Sequence, residues 1–566
     1  IAPCTAIWHP CRRSRHHGPS ELTAAHVLHD YFKATRQGVA HIMSGASPSS
    51  IAGLLSRAAS AAPKQIGLTT PETEQGFSWQ DSLDRATEIA CYLQGAGLSD
   101  GASVAIASAN GAAASFAFLG TVFGGYRATP LNLVAGVKTL GFVLSHSKTE
   151  IILCADDCRS MVEDGLAAMP DAPETMPQII SMDIDQGPRW EETEITPVNK
   201  ADLRRPNANS IGLLMYTSGT TGVPKGVLLS HANLIAAGSN VCVAHKLDKA
   251  DIGMCVLPIY HINGLCVTVM GTLVSASGLV MPRRFSATHF WAQMKQFDCT
   301  WFSAVPTLFA YLLNDETVPD LNRDRLRFSR SASAPLPPEI HRQFEKRFNI
   351  PIIETMGLTE TGAQILSNPL PPAERKIGSP GIGYGNEIAI AGPDLSILGP
   401  DIEGEILVRG SNVMQGYLDR PDETAKTITV DGWLRTGDLG RMDQDGFIFV
   451  TGRIKELIIK GGENIAPREI DEALLEHDAV LEAAAFAREC RDYGQRVEAC
   501  VRLKDGKTIS EDELRAFCSS LIGAYKTPDH IYFLEDLPKG PSGKVQRMKL
   551  LDLVSKAART QTNIDR

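Results

Sequence analysis

Helices and short buried strands alternate along this chain up to about residue 385. Beyond it the rhythm changes to strands separated by glycine and aspartate turns. Alternation of helix and buried strand requires an α/β layer, whereas strands linked by tight turns require antiparallel sheet. In the first part Leu83, Ala86, Ile89, Ala90 and Leu93 share one helical face ahead of Gly95 and Gly97. SVAIAS (103–108) and IILCA (151–155) read as strands, and AAASFAFLGTVFGG (112–125) as a buried helix. The pattern continues through MCVLPIY (254–260), TWFSAVPTLFAYLL (300–313) and a helix in PLPPEIHRQFEKRF (335–348). In the second part EIAIAG, GEILVRG and GFIFVTG have the period of strands, and GFIFVTGRIKELIIKGG (446–462) predicts two strands around a tight turn at Thr451–Gly452. PREIDEALLEHDAV starts a new helix with Pro467 in its first turn, where a missing N–H costs nothing. Ile470, Ala473, Leu474 and His477 then line one face.

The predicted fold class is α/β, with a large N-terminal domain of several subdomains and a small α+β C-terminal domain. A chain of 566 residues exceeds what one core holds. The division expected is an extension over 1–50, a large domain over 51–453, a small one over 454–550 and a tail over 551–566. Before residue 42 lie six histidines and little periodicity, and Met43 opens a more ordinary start. Residues 1–42 are therefore expected to be extra or misread sequence. The net charge of −10, with no dense basic block, argues against a nucleic-acid partner. No apolar run approaches the ~20 residues that span a bilayer. Twelve cysteines without a CxxC pair fit a reduced, cytoplasmic compartment and no zinc site. Monomer and homodimer both stay open.

The segment YTSGTTGVPKGVLLSH (216–231) resembles a phosphate loop but departs from the Walker A pattern, in which lysine follows the last glycine and precedes Ser or Thr. Here Lys225 precedes Gly226 and Pro224 stiffens its approach. Glycines at 219, 222 and 226 permit tight turns, and Thr217, Ser218, Thr220 and Thr221 add uncharged donors suited to a leaving pyrophosphate.

Four further segments complete a set: ETMGLTETG (354–362), GWLRTGDLG (432–440), GRIKELIIKGGENIAPREID (452–471) and KGPSGKVQRMKL (539–550). Together they resemble the adenylate-forming superfamily of acyl- and aryl-CoA synthetases, amino-acid adenylation domains and firefly luciferase. The resemblance runs from about 50 to 555. It implies an AMP-forming acid–thiol ligase that uses ATP, Mg2+ and coenzyme A, with residues 51–453 as the AMP-binding domain and 454–550 as a mobile one. On the same grounds Lys544 bridges carboxylate and α-phosphate, and Glu360 holds magnesium with help from Thr217. Thr359 contacts phosphate or adenylate, and Ser218, Gly219, Thr220, Thr221, Gly222 and Lys225 cup the outer phosphates. Asp438 accepts the ribose hydroxyls and Arg453 approaches ribose or phosphate. Met356 stands where the superfamily usually stacks an aromatic ring on adenine, a departure that leaves a softer contact. Rotation at Lys455 would withdraw Lys544 and bring Gly461 and Gly462 over the adenylate, leaving room for pantetheine.

The matching neighbourhood for the acid, LPIYHINGLC (257–266), has no carboxylate, which argues against an amino acid. His261 and Asn263 stand where the family places residues beside the acyl group. LTETGAQILSNPLPP (358–372) followed by RKIGSPG closely resembles oxalate-CoA ligases of plants and fungi, and the overall pattern also resembles bacterial sulfoacetate-activating ligases. A short anionic acid is expected, its remote group held by candidates His231, His261, Asn263 and Arg330. Trp301 and Phe302 are bulky residues of undetermined direction. Alternatives are a medium-chain or aromatic acid, a stand-alone enzyme loading a carrier protein, and a non-catalytic AMP-binding interaction protein.

Overall fold

The computed structural model describes residues 48–171, 175–217, 223–315, 322, 325–540 and 545–555. The extension expected before Met43, the segment Ser218–Gly222 and Lys544 lie outside the described residues.

Two large sheets carry the first part of the chain. One has nine strands, with parallel pairing from Ile352–Leu358 through Phe328–Ser331, Trp301–Ala304, Ile252–Cys255 and Gly278–Val280 to Ile66–Thr70. The other has eight, with Ile211–Thr217, Arg127–Pro130, Ser103–Ala107, Thr149–Ala155 and Gln178–Asp183 running parallel. The helix Ala112–Phe123 is buried at every position and touches strands of both sheets. Gly120 lets the helix Trp79–Gly95 come close, since a Cβ on Gly120 would lie 2.5 Å from Ile89 Cβ. Phe116, Phe118 and Phe123 fill the remaining space, each contributing roughly 1.5–3 kcal/mol by burial. Trp301 and Phe302 are fully buried in apolar clusters, Trp301 stacked on Phe328 and Phe302 edge-on to Phe290.

After residue 385 the strands Asn386–Ala391, Gly404–Gly410, Leu434–Met442 and Ile448–Arg453 form a four-stranded antiparallel sheet. The turn expected at Thr451–Gly452 is absent. Gly452 sits within the last strand opposite Leu439, where its Cβ would approach Ala466 Cβ to 3.2 Å. The chain bends instead at Ile454–Glu456, immediately before the strand Ile458–Lys460. A smaller α+β unit follows, a five-stranded sheet with the helices Pro467–Leu475 and Glu511–Ile522. Ile470, Ala473 and Leu474 enter its core, while His477 falls beyond the helix end, edge-on to Phe517. Among the described residues no helix is long and apolar enough to cross a membrane. The described cysteines are free thiols, all buried except the half-buried Cys490.

Candidate active site

A cavity of about 270 Å3 opens between the larger body and the C-terminal unit. Met356, Gly357, Asp438 and Arg453 line one side and Arg468, Val545 and Arg547 the other. The strand Ile352–Leu358 brings Met356 here because its pairing with Ala363–Ser367 shifts at Met356/Gly357. Gly357 is required there, since a Cβ would lie 1.8 Å from the Ala363 carbonyl oxygen. The next residues turn as a short 3-10 helix, Thr359–Thr361, which carries Glu360. Met414 N–H donates to the Glu360 carbonyl at 2.8 Å, and the Tyr417 hydroxyl donates to Glu360 Oε1 at 2.8 Å.

Tyr417 belongs to a two-residue strand paired with Lys225–Ser230, opposite Val227. Thr217 ends the neighbouring strand in register with Lys225. Lys225 Nζ meets Glu423 Oε2 at 2.6 Å and sits 4.9 Å from the centre of the Tyr417 ring. Hydrogen bonds from Lys225 and then Lys426 hold the Glu423 carboxyl down at about 2.

Asp438 and Arg453 face each other across adjacent strands, with Nε to Oδ1 at 2.6 Å. Burial works against the charge of Arg453, but Asp438 outweighs it and holds the guanidinium above its ordinary value. Glu354 also lines the cavity. Burial raises its carboxyl, while Arg468 and the Leu336 N–H, which donates to Oε1 at 3.2 Å, act the other way. Its Oε2 has no hydrogen-bond partner among the described residues.

Behind this wall lies a second polar group. Arg330, in the central strand Phe328–Ser331, is 1% exposed. It donates to Asn263 Oδ1 at 2.8 Å, Ser303 Oγ at 3.0 Å and Gln364 Oε1 at 3.3 Å, all neutral acceptors. No ion pair forms on it among the described residues, and burial pushes its guanidinium down to about 9. Asn263 opens a widened, π-helical stretch, Asn263–Met270, a distortion frequent at functional sites. Its amide donates to Ser333 Oγ at 3.1 Å. Ser333 lines the cavity with φ at 72°, a strained value for a residue with a side chain.

The structure therefore joins Asn263 to Arg330, and places His261 two residues before Asn263 with its ring 5.0 Å from that of Tyr260. His231 lies elsewhere, fully buried and accepting the Ile51 N–H through Nδ1 at 3.1 Å. It anchors the first described helix and leaves the set of candidates for the acid. Thr359 begins the turn that holds Glu360. Lys455 lies exposed in the bend between the two units. Gly461 and Gly462 form the exposed tip of a hairpin, with φ of 58° and 89°, and do not line the cavity. The segment facing it is the one containing Val545 and Arg547. Tyr417, Glu423 and Ser333 lie outside the motifs, and Glu354 and Gln364 lie within ETMGLTETG (354–362) and LTETGAQILSNPLPP (358–372) without having been singled out.

The donor set fits a nucleotide with its metal. Glu360 is a hard oxygen donor suited to a metal, Lys225 and Arg453 are cations, and Asp438, both of whose oxygens meet Arg453, lines the cavity. Comparison with known proteins agrees. The AMP-binding enzyme family matches residues 55–418 and the AMP-binding enzyme C-terminal domain matches residues 469–544. The chain belongs to this family and has the domain architecture of an AMP-forming acyl-CoA ligase. It is 43% identical over 503 residues to the sulfoacetate–CoA ligase of Cupriavidus necator, covering 89% of this chain and 97% of that protein. It is 33% identical over 478 residues to the oxalate–CoA ligase of Arabidopsis thaliana, covering 82% and 91%. ATP-bound MatB from Rhodopseudomonas palustris superposes with a TM-score of 0.81 at 27% identity, over 88% of this chain and 98% of that one.

Proposed function

We propose that the protein activates a short carboxylic acid bearing a second anionic group, of the sulfoacetate or oxalate kind, and transfers it to the thiol of coenzyme A. Arg330 carries this reading. A buried guanidinium surrounded by neutral acceptors is costly, and an anionic substrate group supplies the missing charge. It lies behind Asn263, which bonds Ser333 on the cavity wall. The names of two relatives, sulfoacetate– and oxalate–CoA ligase, point the same way.

In the first half-reaction a substrate carboxylate oxygen attacks the α-phosphorus of ATP and pyrophosphate leaves. Lys544, one residue before Val545 of the cavity wall, is assigned to the meeting point of carboxylate and phosphate, where positive charge lowers the barrier. Asp438 takes the ribose hydroxyls with Arg453 beside it, Met356 packs against adenine, and Ser218–Gly222 with Thr359 hold phosphate oxygens. Glu360 and Thr217 would hold magnesium, which neutralises phosphate charge when bound. For the second half-reaction the C-terminal unit turns about Lys455, so that the Gly461–Gly462 tip replaces the 545–547 segment and admits the thiol, whose sulfur attacks the acyl carbon as the acyl–phosphate bond breaks and AMP leaves. His261, close before Asn263, is assigned to the acyl side.

The test is pyrophosphate release over sulfoacetate, oxalate, octanoate and benzoate, with and without coenzyme A, and mass detection of the thioester. Release and thioester are expected with sulfoacetate or oxalate. Preference for octanoate or benzoate would exclude the anionic acid, and release without a coenzyme A thioester would point to another acceptor.

A further inference from the structure

Tyr417 stands between two charged side chains, Glu360 on its hydroxyl and Lys225 over its ring face. Its own position is fixed from two sides. The Tyr417 N–H donates to Thr424 Oγ1 at 2.9 Å, within the short helix that bears Glu423. The next residue, Leu418, donates to the Gly226 carbonyl at 2.8 Å, beside Lys225. The helix and the strand are thus stitched together, and only the side chains of Lys225 and Glu423 are left to rearrange. Glu423 has two cations: Lys225 on Oε2, and Lys426 on Oε1 at 3.1 Å.

We infer that Glu423 is a replaceable counter-ion, which holds Lys225 beside Tyr417 and gives it up to the outer phosphates of the nucleotide. Three features favour exchange over a permanent bridge. The Lys225 and Glu423 side chains are 20% and 34% exposed, so their attraction is screened by water. Glu423 keeps Lys426 when Lys225 departs. A phosphate offers the ammonium several charged oxygens where a carboxylate offers one here. Lys225 can move without disturbing Glu360, because Tyr417 is anchored through its own backbone and hydroxyl. Glu423 would therefore act through Lys225 as a positioning residue, setting how tightly pyrophosphate is retained. The inference rests on the reading of the loop as the pyrophosphate site.

Calorimetric titration of the full chain with inorganic pyrophosphate in magnesium chloride tests it. Glu423→Gln removes the competitor and is expected to tighten binding about two- to fivefold, whereas a purely structural role predicts equal or weaker binding. Lys426→Ala, on an exposed position, leaves Lys225 as the remaining cation on Glu423 and should weaken binding; that loss should vanish in the double variant with Glu423→Gln. Unchanged or weaker binding by a folded Glu423→Gln protein overturns the proposal. So does a Lys426→Ala loss that persists in the double variant, which covers the case in which Glu423→Gln alone fails to fold. Lys225→Ala separates the two levels. If wild type binds pyrophosphate and Lys225→Ala does not, while Glu423→Gln binds no tighter, the exchange fails and the site stands. If Lys225→Ala binds like wild type, or wild type does not bind, the site reading fails and the exchange with it.

Discussion

Arg330 is the side chain at which the proposed substrate choice and the stability of the fold would meet. Arg330→Met removes the hydrogen bonds from its guanidinium to Asn263, Ser303 and Gln364, a loss of about 1–3 kcal/mol. It also removes the charge proposed to face the remote anion, so KM for the dianionic acid should rise at least about tenfold, the weight of one charged hydrogen bond. Turnover of a monocarboxylate should change less, and Arg330→Lys should fall between, keeping the charge but losing the planar fork. Equal losses on both acids would refute the assignment. Buried histidines make a separate prediction. Burial pushes His231 down to about 4 and, with Arg330 a lesser cause, His245 to about 3. Unfolded histidines titrate near 6.5, so below that pH the unfolded chain binds protons that the folded one refuses. Stability is fully present above 6.5 and falls as the pH drops toward 4 and 3, by up to about 1.4 kcal/mol per pH unit for each histidine. Urea unfolding at pH 7.5 and 5.5 should show the fall, and His231→Asn should make it shallower.

Among the elements, the hairpin tip at Gly461–Gly462 invites the sharpest test. Gly461 has a left-handed φ, and its Cβ would lie 3.2 Å from the Tyr525 hydroxyl. Gly461→Ala should cost about 1 kcal/mol, leave pyrophosphate release near wild type and slow thioester formation; equal slowing of both steps would count against a role confined to the thiol. The elements also show what the sequence made legible. A continuous apolar run located the buried helix Ala112–Phe123, and Pro467 marked the start of the helix Pro467–Leu475, because local composition and proline chemistry act within a few residues. Gly452 misled, since a glycine looks the same whether it makes a turn or lets Ala466 approach. Asp438 and Glu360 could be found within their motifs. Glu423 could not, because its contact to Lys225 joins residues 198 apart through the pairing of the two-residue edge strand Gly416–Tyr417 with Lys225–Ser230.

At the scale of the whole molecule, two polar contacts among the described residues hold the C-terminal unit near the larger body and the bend. Arg468 donates to the Val450 carbonyl at 2.7 Å, and Arg547 meets Glu456 at 3.4 Å in the connecting bend. Arg468→Ala should loosen this arrangement and speed tryptic cleavage after the exposed Lys455, read as a fragmentation rate; an unaltered rate would mean that other contacts hold the units. The burial of the cysteines has a consequence of its own. Cys154, Cys158, Cys242 and Cys500 are pushed up to about 12, and Cys255 and Cys518 to about 11, chiefly by burial. Thiols held protonated at neutral pH are poor partners in disulfide exchange. A ligase of the proposed kind, whose second substrate is a thiol, would thereby be guarded against capturing the oxidised form of that substrate as a mixed disulfide. Among the described residues, the half-buried Cys490 is the place where such an adduct would first form.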